Sequence, residues 1–112
     1  MELKEFPRPD WSPLPAMEGR FGVEGKVLLV DRRIVIATLR FAAHAQTDVH
    51  PADYDIHVLC LDGAGFSFCG GSTVPIRAGQ SLLWPRGEPH NLYTRDSAMT
   101  TLMVEHVHTR GG

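Results

Sequence analysis

Cysteine is scarce in this chain: Cys60 and Cys69 are the only two among 112 residues. They do not form a CxxC pair, which argues against a thiolate zinc site. Both lie in apolar, strand-like runs, where a reducing compartment leaves thiols as small buried hydrophobes. A disulfide across a hairpin turned at residues 63–65 is the alternative. Excess charge is also lacking, with 11 basic against 13 acidic residues and a formal net charge of -2. No dense Lys/Arg cluster is present to track phosphates, so nucleic acid is not an expected partner. No apolar run approaches the length of a membrane span, and the opening Met1-Glu2-Leu3-Lys4-Glu5 carries no secretory core. A cytoplasmic protein without a membrane partner is therefore expected. Gly-rich phosphate loops, nucleophile elbows, internal repeats and convincing helical periodicity are all missing. The length allows one domain.

What the chain does have is punctuation, in the form of 8 prolines and 11 glycines. Pro7, Pro9, Pro13 and Pro15 rule out a helix near the start, and residues 1–25 read as an extended arm. Its aromatics, Phe6, Trp11 and Phe21, gain by packing on the rest of the chain or on a second subunit. Residues 26–30 and 34–41 are rich in Val, Ile and Leu and read as paired strands around an Asp31-Arg32-Arg33 turn. Residues 42–54 read as an irregular polar loop that Pro51 keeps from being helical. A strand follows over 55–62, in which Asp55, His57, Leu59 and Leu61 share one face and Ile56, Val58 and Cys60 the other. Gly63-Ala64-Gly65 reads as a turn, 66–69 as a return strand, Gly70-Gly71-Ser72 as a second turn, and 74–76 as a further strand. After Arg95-Asp96-Ser97 the final strand is expected over 99–107. Eight or more short strands separated by turn residues point to an all-β sandwich or barrel.

The chain is organised around residues 79–94. Gly79 opens a short apolar run, Ser81 to Trp84, bounded by turn residues as a buried strand would be. Pro85, Gly87 and Pro89 turn the chain, and His90 heads the next strand, sharing a face with Leu92 and Thr94. The spacing of Gly79, Pro85, Gly87 and His90 resembles the second motif of the cupin superfamily, with Thr94 where that motif closes on Asn. The first cupin motif is echoed by Asp48, His50, Asp55 and Gly63, with Asp48 in place of its first His, Asp55 in place of its Glu, and one extra residue before Gly63. The resemblance covers roughly residues 28–106. It implies a double-stranded β-helix (cupin, or jelly-roll) barrel over 26–108, behind the arm of 1–25 and before a tail of 109–112. It also implies a homodimer.

By that resemblance the metal ligands are Asp48, His50, Asp55 and His90, holding Fe, Mn, Ni or Zn; two imidazoles and two carboxylates suit such ions. Open positions on the ion would serve a metal-dependent oxygenase or isomerase, and a small organic ligand would bind beside it. Catalysis itself is left open. The rival reading is a metal-free ligand-binding or sensory cupin. His57 competes with Asp55 through strand register, and a bulge in the 55–62 strand is what would turn Asp55 inward. His44 is a weaker candidate, and His106 and His108, beside Glu105, read as a solvated tail pair.

Overall fold

The computed structural model describes residues 1–107, so His108 and the tail fall outside it. Nine strands run in chain order with no helix among the described residues: β1 (Ser12–Pro13), β2 (Phe21–Val30), β3 (Ile34–Gln46), β4 (His50–Pro51), β5 (Asp55–Cys69), β6 (Ser72–Arg77), β7 (Ser81–Trp84), β8 (Pro89–Tyr93) and β9 (Met99–His106). All pairings are antiparallel. The first half of β5 lies between β9 and β7, and β9 continues to β3 and β2. The second half of β5 lies between β6 and β8, with β4 beyond β8. The end of β3 reaches β8 through Gln46 and Tyr93, which closes the barrel.

Two long strands therefore serve both sides of the barrel, and each needs a corner. In β5 the corner falls at Gly63, with φ of 75°. A side chain there would collide with the carbonyl of Ala98, so only glycine fits. The three residues 63–65, which read as a turn, are instead this corner inside one continuous strand. A register shift between Cys60 and Asp62 places a bulge just before it. In β3 the corner falls at His44, a non-glycine residue with φ of 58°. Thr94, just past the end of β8, holds this corner. Its hydroxyl donates to the Ala42 carbonyl at 2.6 Å and accepts from the Ala45 amide at 3.0 Å. That bracing carries β3 to Gln46, well into the stretch that reads as a polar loop.

β2 begins at Phe21, inside the stretch that reads as an arm, and Ser12 and Pro13 pair with Gly25 and Glu24. Trp11 accepts the side chains of Lys26 and Arg40 over its ring, at 4.7 and 4.4 Å, contacts worth about 0.5–1 kcal/mol at exposed positions. The core is a set of inward side chains from both sides, among them Phe41, Val58, Leu92 and Met99. Cys60 and Cys69 are both free thiols on one strand, and burial raises the pKa of each, which disfavours thiolate chemistry.

Candidate functional site

The barrel encloses a cavity of about 220 Å³, lined on its apolar side by Leu14, Leu39, Ile56, Trp84, Leu92 and Met103. Arg20, Thr47, Asp48, His50, His90 and Glu105 complete it. Strand pairing brings the two histidines together: β4 and β8 run antiparallel with His50 directly opposite His90. Their ring centroids lie 4.8 Å apart. Trp84, at the end of β7, stacks on the other ring of the pair, 3.9 Å from the His90 centroid, and its indole N–H donates to Ser67 Oγ at 2.9 Å. His90 is buried at 3% exposure, whereas half of the His50 side chain is exposed at the cavity mouth.

Each imidazole has one nitrogen committed. His90 Nδ1 sits 3.1 Å from the carbonyl oxygen of Glu88. His50 Nδ1 sits 3.3 Å from the Asp48 carbonyl and 3.1 Å from its carboxylate. A carbonyl can only accept, so Nδ1 carries the proton in both rings. In a neutral ring that leaves Nε2 as a bare acceptor. Burial lowers the His90 pKa and His50 adds to that effect, outweighing the Glu88 carbonyl, which acts the other way. Neutral imidazole is accordingly the form His90 holds at physiological pH.

Asp48 anchors the mouth. Arg20 grips its Oδ1 with Nε and Nη2, both at 2.9 Å, and donates Nη1 to the Pro15 carbonyl at 2.9 Å. Burial works to raise the Asp48 pKa, but the bonds and charges of Arg20, with a smaller contribution from His50, hold it below the usual value. Through Arg20 the segment before β2 closes over the cavity, and Leu14 joins the lining. Glu105, opposite Ile56 on β9, has its pKa raised by burial and by Asp53, against a smaller opposing pull from His50.

Of the four residues singled out from the sequence, Asp48, His50 and His90 come together. Asp55 is elsewhere: its Oδ1 accepts the Arg86 amide at 2.8 Å, and its neighbour Ile56 faces the cavity. The bulge that was to turn Asp55 inward exists, but it lies beyond Cys60 and leaves residues 55–60 in plain alternation. His57 shares the outer face with Asp55 and meets His106 there, Nδ1 to Nε2 at 2.8 Å. His44 lies at the β3 corner, its Nε2 3.9 Å from Asp96. Arg20, Trp84 and Glu105 are site residues that the motifs did not reveal. For Glu105 a signal existed, since Met99, Thr101, Met103 and Glu105 alternate onto one face.

A resident divalent ion commonly takes three or more converging protein donors. Among the described residues no group of three or more His, Cys, Asp or Glu side chains is placed to share one ion. Asp48 is engaged by Arg20, and Glu105 is pushed towards its protonated form. The donors as placed thus supply two free imidazole nitrogens and do not fit a resident metal.

Residues 35–108 match the family of AraC-like ligand binding domains. No curated protein matches the chain. Among solved structures, the polyketide cyclase RemF from Streptomyces resistomycificus superposes with a TM-score of 0.80 at 20% identity, covering 95% of this chain and 80% of that one. A predicted oxalate decarboxylase from Thermotoga maritima gives 0.76 at 22% identity, covering 86% and 90%. The cupin domain of Schizosaccharomyces pombe Cnp3 gives 0.72 at 13% identity, covering 78% and 66%.

Proposed function

We propose, from the premise that this chain belongs to the family of AraC-like ligand binding domains and has the cupin barrel fold, that its barrel cavity binds a small hydroxylated organic molecule without the help of a metal. The observation that carries this reading is the pair of imidazoles whose Nδ1 protons are fixed on Glu88 and Asp48. Two Nε2 acceptors side by side suit a ligand with two adjacent O–H donors, and the apolar wall of Leu39, Ile56, Leu92 and Met103 suits a hydrocarbon body. A cavity of about 220 Å³ is smaller than those that hold drug-sized ligands, so the molecule has few heavy atoms.

The likeness to a polyketide cyclase and to a predicted oxalate decarboxylase supports the fold. The residues here support binding: among the described residues the cavity lining holds no cysteine or serine, and Nδ1 of each histidine is spent on orienting its ring. A second reading keeps the same nitrogens and gives them a divalent ion, with Asp48 and Glu105 as the nearest carboxylates; the paired imidazoles are what favours it.

Calorimetry on chelator-treated, tag-free protein separates the two, with catechol as probe and 1,2-dimethoxybenzene as the same shape without donors. Catechol should bind without added metal, and the diether should bind at least about tenfold more weakly. Catechol binding only after zinc, nickel, iron or manganese is restored would favour the metal reading. Equal binding of catechol and the diether would remove the imidazole acceptors from the account.

A further inference from the structure

A second concave site lies away from the barrel interior and shares no lining residue with it. This cleft, about 590 Å³, has Ala64, Phe66, Pro75 and Ile76 as its apolar surface and Arg77, Gln80, Arg95, Asp96 and Ser97 as its polar one. Arg95 sits over Phe66, its guanidinium carbon 4.7 Å from the ring centroid, and Phe66 stacks on Tyr93 at 5.2 Å and 17°. The stack is set by register, since Phe66 and Tyr93 are direct partners across β5 and β8. A guanidinium held over a ring keeps N–H groups free to bind.

Neither Arg77 nor Arg95 has a carboxylate within ion-pair distance among the described residues. The Arg77 amide donates to Gln80 Oε1 at 3.0 Å, which turns the Gln80 carboxamide so that its NH2 is left as a further donor. Asp96 is the one carboxylate lining the cleft among the described residues, with His44 Nε2 3.9 Å from its Oδ1. The balance is two positive charges against one negative, a net of one positive, with a surplus of donors above an apolar floor. β6 is an edge strand interrupted by Pro75, a poor template for adding a peptide strand. The complement is a small molecule rather than a chain.

We infer that this cleft is a second ligand site, for a small organic anion in which a carboxylate meets Arg77 and Arg95 and a flat apolar body lies along Phe66 and Pro75. Arg-carboxylate pairing provides the orientation, and the body provides the burial. The inference stands apart from the proposal for the barrel cavity, and either can fail without the other.

The test is titration of the full chain with 2-naphthoate, against neutral 2-naphthamide and inorganic phosphate. Heats give the affinity, and amide chemical shifts give the location. Naphthoate should saturate and should move the amides of Ala64, Phe66, Arg77 and Ser97 rather than those of Thr47 and His90. The amide, and naphthoate with Arg95→Gln, should each bind about tenfold or more weakly. Arg77→Gln gives a second reading of the charge that leaves the Phe66 stack untouched, and should weaken binding in the same direction. Absence of saturable binding, equal affinity for acid and amide, shifts centred on the barrel cavity, or indifference to both substitutions would overturn the inference. Phosphate binding as tightly as naphthoate would overturn the role of the apolar floor.

Discussion

The barrel carries two histidine pairs, each on adjacent antiparallel strands, and they use the same side chain in different ways. His50 and His90 each spend Nδ1 on a backbone carbonyl and keep Nε2 for the cavity. His57 and His106, on the outer face of β5 and β9, spend ring nitrogens on each other at 2.8 Å, with rings at 80°. One pair is oriented by its surroundings, so its chemistry points at a ligand; the other satisfies itself. Burial separates them further, because His90 is held neutral by desolvation beneath Trp84 while His57 stands in water. What makes a histidine available here is a third group that fixes its tautomer, a condition that motif spacing does not record.

The largest effect should come from removing the buried member of the inner pair. His90→Ala takes away an acceptor and the ring that Trp84 stacks on, so catechol affinity should fall by about tenfold or more, at a cost in folding free energy on the order of 2 kcal/mol. Calorimetry and urea melts read the two effects separately, and unchanged affinity would break the contrast between the pairs. Next comes Asp48→Asn, which strips the charge that Arg20 grips and weakens the hold on His50 Nδ1. A stability loss of about 1–3 kcal/mol is expected for a largely buried charged partner, with a several-fold loss of catechol affinity.

Two cavity groups with shifted pKa values, His90 and Glu105, respond to pH in opposite senses. A histidine whose folded pKa lies below its unfolded one stabilises nothing by binding protons: as pH falls below about 6.5 the unfolded chain takes up the proton first, and stability declines. Glu105 works in the other sense. Its folded pKa lies above 4.5, so its contribution is full below that pH and is lost as pH rises through the raised value. Urea midpoints measured from pH 7.5 down to 5.5 should therefore fall more steeply for the parent than for His90→Gln. Parallel curves would mean that His90 is not held neutral. The smallest effect is assigned to the outer pair: His57→Gln and His106→Gln should each shift stability by less than about 0.5 kcal/mol and leave catechol affinity unchanged.

Much of the fold was legible in the sequence because turn residues and alternating apolar runs report directly on strands, and the motif around Gly79 and His90 fixed the barrel type. The corners were not. Gly63 reads as a turn because glycine permits both a reversal and a bend, and only packing against Ala98 decides between them. The polar stretch after Phe41 reads as a loop because the hydroxyl that straightens it, on Thr94 just past β8, lies about 50 residues away in sequence. The same distance effect governed the site. His50, His90 and Asp48 read as candidates because their motifs place them, and strand pairing brings the two histidines opposite each other. Asp55 was placed by a bulge whose position along the strand no local pattern specifies. Arg20 comes from a segment with no periodicity at all, and Glu105 was hidden by its neighbour His106, although simple alternation along β9 aims it inward.

The two-acceptor cavity depends on which ring nitrogen carries the proton in the inner pair. A long-range proton–nitrogen correlation spectrum of histidine-labelled, chelator-treated protein at pH 7.5 reads this directly. Protonated Nδ1 with an acceptor-type Nε2 is expected for both His50 and His90, and catechol should then shift the two Nε2 resonances. Protonated Nε2 in either ring before ligand is added would contradict it, because that nitrogen would face the cavity as a donor and the two-acceptor site would not exist.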